Sequence, residues 1–157
     1  MSAATADDPL ALDRQVCFAL YAASRALTTA YRPLLEPLGL TYPQYLVMLV
    51  LWEESPRAVG EIGADLHLDS GTLSPLIKRL EANGLVRRHR SQDDERRVLV
   101  ALTDEGRALR DRAFDIPQRL VAATGSDAEA VALVQRACEA LLALTKPETG
   151  EVRASAY

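Results

Sequence analysis

The feature that most constrains the fold of this chain is a change of hydrophobic period at Gly84. Before this glycine, apolar residues recur every three or four positions over 59–66 and 70–83, which predicts two helices joined by a tight turn. After it, the apolar segments 85–90 and 97–102 flank a polar stretch, which predicts a β-hairpin. A short helix, a tight turn, a second helix and a hairpin are the parts of a winged helix-turn-helix.

A long helix is predicted before this unit. From Pro9 to Leu38, apolar or small side chains follow one face of a single helix, which Pro37 and Gly39 end. A helix of this length in a small domain needs a partner along its whole length, which favours a second subunit.

Two more helices are predicted after the hairpin. Thr103 caps one that runs to about Thr124 and bends at Pro117, and a last helix follows from Ala128 to about Leu144. The predicted fold class is mainly α, a winged helix-turn-helix with long N- and C-terminal dimerisation helices. We expect dimerisation helices at 9–41 and 104–145, the winged helix-turn-helix at 42–103, and a loosely held tail at 146–157.

The net charge is −4, but positive charge is concentrated in residues 70–97. This stretch holds seven basic and four acidic residues, a net of +3, whereas the rest of the chain holds 11 basic and 18 acidic residues, a net of −7. Because the distribution of charge matters more than its sum, the stretch predicts a local basic surface suited to nucleic acid.

The outward face of the 70–83 helix carries side chains suited to a DNA major groove. Small residues near its start allow close approach, and hydroxyl and cationic groups can reach phosphates and base edges. The wing adds arginines that can reach the adjacent backbone or minor groove. The alternative is a merely solvated face, and Pro75 fits poorly because it removes a backbone donor. The candidate DNA-binding residues are Ser70, Gly71, Thr72, Ser74, Pro75, Lys78 and Arg79 on the helix and Arg90, Arg96 and Arg97 on the wing.

Two segments, Ser70–Val86 and Asp94–Gly106, closely resemble the signature of the MarR family of regulators. The resemblance covers about residues 10–145. It implies a homodimer whose outer helices interlock while two winged modules bind a pseudo-palindromic operator in double-stranded DNA. It also implies that Asp94 braces Arg96 at the wing tip and that Arg96 enters the minor groove.

Cys17 lies on a stripe of the first helix that also carries Tyr21 and Tyr31. Phenolic hydroxyls can donate hydrogen bonds that stabilise a thiolate, the reactive form of cysteine. Fourteen residues separate Cys17 from Tyr31, about 21 Å of helix rise, so the two cannot meet within one straight helix. An antiparallel partner helix could bring them together, and simple core packing of the cysteine is the alternative.

The segment Gln15–Arg25 is similar to the organic-hydroperoxide-sensing branch of that family, the OhrR type. The resemblance implies that Cys17 pairs with Tyr31 and Tyr42 of the neighbouring subunit. An organic hydroperoxide, the inducer, would oxidise the thiolate to a sulfenic acid, which then condenses with another thiol and releases the operator. Cys138 is then either a resolving thiol or a buried residue, in which case a small thiol such as glutathione caps Cys17. The regulated gene would typically encode an organic hydroperoxide reductase.

Other functions remain as alternatives. A MarR-type repressor could instead be released by a small aromatic ligand. A thiol enzyme would need a Cys-x-x-Cys or a strand-rich thioredoxin pattern, which the sequence lacks, and neither His67 nor His89 has metal-ligand spacing. A plain dimerisation scaffold would leave the basic wing unexplained. We therefore expect no enzymatic turnover, no cofactor and no metal.

The expected cellular location of the protein follows from the lack of membrane-spanning and secretory patterns in the sequence. No apolar run approaches the roughly 20 residues that span a bilayer, and residues 1–8 are small and acidic without a secretory pattern. Two distant cysteines in such a chain disfavour a structural disulfide. We expect a cytoplasmic protein with no membrane partner.

Overall fold

A computed structural model describes residues 8–92, 94 and 96–145, so the predicted tail at 146–157 lies outside the described residues. The helices are α1 (Val16–Leu35), α2 (Tyr42–Glu53), α3 (Val59–Leu66), α4 (Ser70–Ala82), α5 (Asp104–Ala113), α6 (Ile116–Thr124) and α7 (Ala128–Thr145). The strands are β1 (Arg57–Ala58), β2 (Val86–Arg90) and β3 (Val98–Leu102), in the sheet order β1-β3-β2. The predicted fold class is confirmed: the chain is mainly helical and contains a winged helix-turn-helix.

The chain separates after Leu120 into two units. The first unit holds α1 to α5, the sheet and the start of α6, and the second holds the end of α6 and α7. Within the described residues no single helix is long and apolar enough to cross a membrane. The pair Val16–Leu38 and Tyr42–Glu53 meets both criteria only when its two members are combined across a 68° bend.

The first long helix begins at Val16, so the predicted start at Pro9 is wrong. Gln15 has an extended backbone (φ −84°, ψ 107°), and its side-chain Nε2 donates a 2.8 Å hydrogen bond to the carbonyl oxygen of Pro9. The Asp8 carboxylate accepts a hydrogen bond from the backbone N–H of Leu10. Between Leu10 and Gln15 the chain forms a short 3-10 turn, Leu12–Arg14. Local side-chain hydrogen bonds therefore replace helical ones in this segment.

The predicted bend at Pro117 is instead a complete break between α5 and α6. The first helix ends at Ala113 and the second begins at Ile116, so Pro117 falls in the first turn of α6. A proline is tolerated there because the backbone N–H that it lacks has no acceptor within the helix.

The core of the first unit forms around α2. Tyr45, Val47, Met48 and Leu51 of this helix are buried, and its sequence is apolar nearly all round. The other helices and strands of the unit each direct apolar side chains onto this centre. They are Leu35 and Leu40 around the end of α1, Ile62 from α3, Leu73, Ile77 and Leu80 from α4, Val86, Val100 and Leu102 from the sheet, and Leu109 and Ala113 from α5.

The hairpin pairs in one antiparallel register, with Val86 opposite Leu102 and Arg90 opposite Val98. Gly84 has a left-handed backbone (φ 73°), the usual conformation of a glycine just beyond the end of a helix. The two-residue strand β1, which the sequence did not reveal, pairs with the outer side of β3. The wing is therefore joined to the chain segment that precedes α3.

One glycine lets α5 approach the base of the wing. A Cβ atom at Gly106 would overlap the carbonyl oxygen of Leu85 and lie 3.2 Å from Leu102 Cδ2. The carbonyl oxygen of Gly106 accepts a 2.8 Å hydrogen bond from Trp52 Nε1. Thr103 Oγ1 accepts from the Gly106 N–H at 3.0 Å. Three elements, α2, α5 and the hairpin, therefore meet at this glycine.

Replacing Gly106 by alanine is expected to destabilise the fold by about 3 kcal/mol, because the added methyl must displace backbone rather than a mobile side chain. Urea unfolding followed by circular dichroism measures the change. Gly60→Ala is the matched control, since Gly60 is also helical and a Cβ there meets nothing within 4 Å. The control should be neutral or stabilising by up to about 1 kcal/mol. Equal stability of the two variants would contradict the analysis.

Candidate DNA interface and thiol site

Helix α4 presents the predicted DNA-contacting side chains on one face. Leu73, Ile77 and Leu80 on the opposite face are buried, so the helix is anchored by its apolar side. Exposed on the outer face are Ser70, Gly71, Thr72, Pro75, Lys78 and Arg79, with Ser74 half-buried beside them. The arrangement is a polar and cationic helix surface with small side chains in its first turns.

The start of α4 is fixed by Asp69. Its Oδ1 accepts a 2.8 Å hydrogen bond from the backbone N–H of Thr72, the usual N-cap arrangement. This hydrogen bond is the main cause that lowers the pKa of Asp69. Pro75 lacks the donor that would bond the carbonyl of Gly71, yet α4 continues to Ala82. The proline therefore does not end the recognition helix.

The wing tip is shaped by Asp94. Its Oδ1 accepts from the backbone N–H of Arg96 at 3.0 Å, and its carbonyl oxygen accepts from the N–H of Arg97 at 2.9 Å. The hairpin closes where the Ser91 N–H donates to the carbonyl of Arg97. Asp94 thus holds Arg96 through its backbone, and the side chains of Arg90, Arg96 and Arg97 are all exposed.

Two wing arginines form ion pairs with helix carboxylates that the sequence did not identify as partners. Arg97 Nη2 lies 2.6 Å from Glu61 Oε1 on α3, and Arg88 Nη2 lies 2.7 Å from Glu81 Oε2 on α4. The only sequence signal for Glu61 is its place three residues after Ala58, where a glutamate caps a helix. Glu61, Ser74, Ile77, Arg88, Arg96 and Arg97 are among the residues that line an open groove of about 530 Å³ between α3, α4 and the wing.

Both cysteines are free thiols and both side chains are exposed in the single chain. Cys17 is the second residue of α1, and Cys138 lies on α7. Neither cysteine is therefore buried in the core of a single chain, which was the alternative interpretation.

The structure brings together Tyr31 and Tyr42 of one chain, the two tyrosines that the family resemblance implies as partners of Cys17. Their ring centroids are 4.6 Å apart, and the ring of Tyr45 is 5.8 Å from that of Tyr31. Burial, and secondarily Tyr42 and Tyr45, raise the pKa of Tyr31 to about 12, and burial also raises the pKa of Tyr42. Both phenols are therefore protonated at neutral pH and can donate hydrogen bonds. Tyr45 was missed, although it lies three residues after Tyr42 on the same helix.

Comparison with known sequences gives the family. The profile described as "Transcriptional regulator SarA/Rot" matches residues 29–113. The transcriptional regulator TtmR of Methylorubrum extorquens is 56% identical over 125 residues, which are 80% of this chain and 64% of TtmR. This chain therefore spans less than two thirds of the length of TtmR. The organic hydroperoxide resistance transcriptional regulator of Bacillus subtilis is 45% identical over 135 residues, which are 86% of this chain and 92% of that relative.

Solved structures agree with this assignment. Reduced AbfR bound to DNA, a protein of Staphylococcus epidermidis, matches with a TM-score of 0.72 and 36% identity over 86% of this chain and 95% of AbfR. The PcaV regulator of Streptomyces coelicolor matches with a TM-score of 0.77 but 23% identity, over 93% of this chain and 100% of PcaV, which supports the fold alone. Like these relatives, the chain is a DNA-binding transcriptional regulator and not an enzyme. It belongs to the MarR/SarA-type family of winged helix regulators, in the OhrR-type branch.

Proposed function

We propose that this chain is a homodimeric repressor that releases its operator when an organic hydroperoxide oxidises Cys17. The observation that carries the proposal is the Tyr31–Tyr42 pair, which is formed within one chain while Cys17 remains exposed at the other end of the same helix. Two protonated phenols side by side are suited to a thiolate supplied by a second copy. The proposal also includes a cytoplasmic location and a pseudo-palindromic operator.

The dimer is supported by apolar side chains on α1 that the described residues of the first unit leave largely exposed. Of the whole helix only Leu35 is buried. Val16 is 64% exposed, Tyr21 58% and Leu27 45%, although such residues normally contribute to a core or an interface. A second copy that packs antiparallel along α1 would cover this face and bring Cys17 of one chain to Tyr31 of the other.

The proposed chemistry starts from the Cys17 thiolate. Its sulfur attacks one peroxide oxygen of ROOH, the S–O bond forms as the O–O bond breaks, and the leaving alkoxide takes a proton to become the alcohol. The resulting sulfenic acid condenses with a second thiol to form a disulfide and release water. The second thiol is Cys138 or a small thiol such as glutathione. Hydrogen bonds from Tyr31 and Tyr42 would stabilise the attacking thiolate.

Relatives support an oxidation-dependent trigger. The Bacillus subtilis relative is named for organic hydroperoxide resistance. AbfR has been solved in a disulfide-formed state, which matches this chain with a TM-score of 0.64 at 38% identity over 85% of this chain and 91% of AbfR. AbfR is thus known in both a reduced and a disulfide-formed state. This pair of states favours oxidation, rather than binding of a ligand, as the trigger that we propose.

Replacing Cys17 by serine should leave DNA binding intact and abolish the response to oxidant. The measurement is a gel shift with a duplex of the DNA upstream of the chain's own gene, before and after cumene hydroperoxide and then after dithiothreitol. The unmodified protein should lose and then regain binding. Release of the serine variant by the peroxide would refute the assignment of Cys17, and release of both proteins by salicylate alone would favour the aromatic-ligand alternative.

Tyr31→Phe should slow oxidation of Cys17 about tenfold, because a hydrogen bond to a charged group contributes about 1.5–3 kcal/mol. The rate of thiol loss under cumene hydroperoxide, followed by mass spectrometry, measures the effect. Tyr21→Phe is the control, since Tyr21 lies on the same helix but its hydroxyl accepts from Arg25 Nη1 at 3.1 Å. Equal rates for the two variants would remove Tyr31 from the proposed site.

A further inference from the structure

The wing is attached to the helix-turn-helix by two carboxylates. Each arm of the hairpin supplies one arginine. Arg88 lies on β2, and Arg97 immediately precedes β3. Each is paired with a glutamate from a different helix, Glu81 on α4 and Glu61 on α3. The two ion pairs therefore join the hairpin to both helices of the helix-turn-helix.

We propose that Glu61 and Glu81 orient the wing by holding Arg97 and Arg88, so that these two arginines position the wing and do not bind DNA phosphates. The proposal rests on the DNA binding assigned to α4 and the wing. It changes the role of Arg97, which the sequence placed among the DNA contacts.

Glu61 is itself fixed in place before it meets Arg97. Its Oε2 accepts a 3.0 Å hydrogen bond from the backbone N–H of Ala58, and Arg57 Nε lies 3.5 Å from the same oxygen. The bond from Ala58 is the first of the causes that lower the pKa of Glu61, with Arg97 and Arg57 adding to it. Only Oε1 is directed to the wing, at 2.6 Å from Arg97 Nη2. The carboxylate is therefore a fixed and ionised anchor for that arginine.

Glu81 holds both the side chain and the backbone of Arg88. Its Oε2 accepts from Nε at 2.9 Å and contacts Nη2 at 2.7 Å, while Oε1 accepts from the Arg88 backbone N–H at 2.9 Å. A carboxylate that binds a guanidinium at two nitrogens fixes its direction as well as its distance. Because the backbone bond lies on β2, the contact fixes the strand against the recognition helix and not only one side chain.

The charges explain why these arginines stay on their glutamates when DNA arrives. If Arg97 moved to a phosphate, Glu61 would keep only Arg57, which also pairs with Glu54 and Asp65, and its carboxylate would lie beside a polyanion with less compensation. The pair keeps that carboxylate neutralised at the edge of the groove between α3, α4 and the wing. At the wing tip, Asp94 holds the backbone of Arg96, so that arginine is the one whose position suits a DNA contact.

The Arg97–Glu61 pair, whose variants are tested below, is too exposed to be important for folding. The side chains of Arg97 and Glu61 are 52% and 46% exposed, and surface ion pairs of this kind contribute little to stability. Variants at these positions should therefore fold, and the effect should appear in DNA affinity.

The test compares the salt dependence of DNA affinity across variants of the full chain, by fluorescence anisotropy with the upstream duplex. Lys78→Gln, which removes an exposed cation of α4, should reduce the slope of log K against log salt by about 2 for the two copies of a dimer. Arg97→Gln should weaken binding about three- to tenfold at low salt with an unchanged slope. Glu61→Gln should weaken it equally, and the double variant should add no further loss.

Asp65→Asn is the matched control, because Asp65 also pairs with Arg57, at 2.8 Å from Nη2, whereas Glu61 contacts Nε of that arginine and Nη2 of Arg97. It should leave affinity and slope unchanged. A fall in slope for Arg97→Gln as large as that for Lys78→Gln, or tighter binding by Glu61→Gln, would overturn the inference. Absence of binding by the unmodified protein, or an unchanged slope for Lys78→Gln, would refute the DNA-binding proposal itself.

Discussion

The arrangement of this molecule depends on the close approach of α5 to the base of the wing at Gly106. Only a residue without a Cβ fits against the Leu85 carbonyl, and the same residue accepts the indole N–H of Trp52 from the central helix. The preceding cap residue, Thr103, also donates to the carbonyl of Gly84 at 2.6 Å. The position of the base of the wing, the start of α5 and the end of α4 are therefore set by one small region.

Packed aromatic rings extend from that region to the tyrosines. Trp52 contacts Tyr45 with ring centroids 6.2 Å apart, and Tyr45 contacts Tyr31. The phenols assigned to the thiol site and the glycine at the base of the wing are thus parts of one contiguous set of contacts. A displacement of Tyr31 toward Tyr45 would therefore meet packed side chains rather than open space.

Glutamates neutralise part of the positive charge on the surface proposed to face DNA. Residues 70–97 carry a net charge of +3, but Arg88 and Arg97 are paired with glutamates in the folded chain. Both glutamates have lowered pKa values, so the pairs persist at neutral pH. The positive charge that we propose for DNA binding is therefore that of α4 and the wing tip.

The sequence alone determined the order and type of the main elements, because hydrophobic period, glycine positions and cap residues act over a few neighbouring residues. The family resemblance also predicts a site that contains Tyr31 and Tyr42, and the helical pattern predicts the candidate DNA-binding residues of α4 on one face. The tertiary structure decided where α1 begins, the complete break before Ile116, the strand β1 and the partners of Arg88 and Arg97. These features depend on competition between local hydrogen bonds or on contacts between residues far apart in the chain. The need for glycine at position 106 is of the same kind, since it arises from the Leu85 carbonyl 21 residues earlier in the sequence.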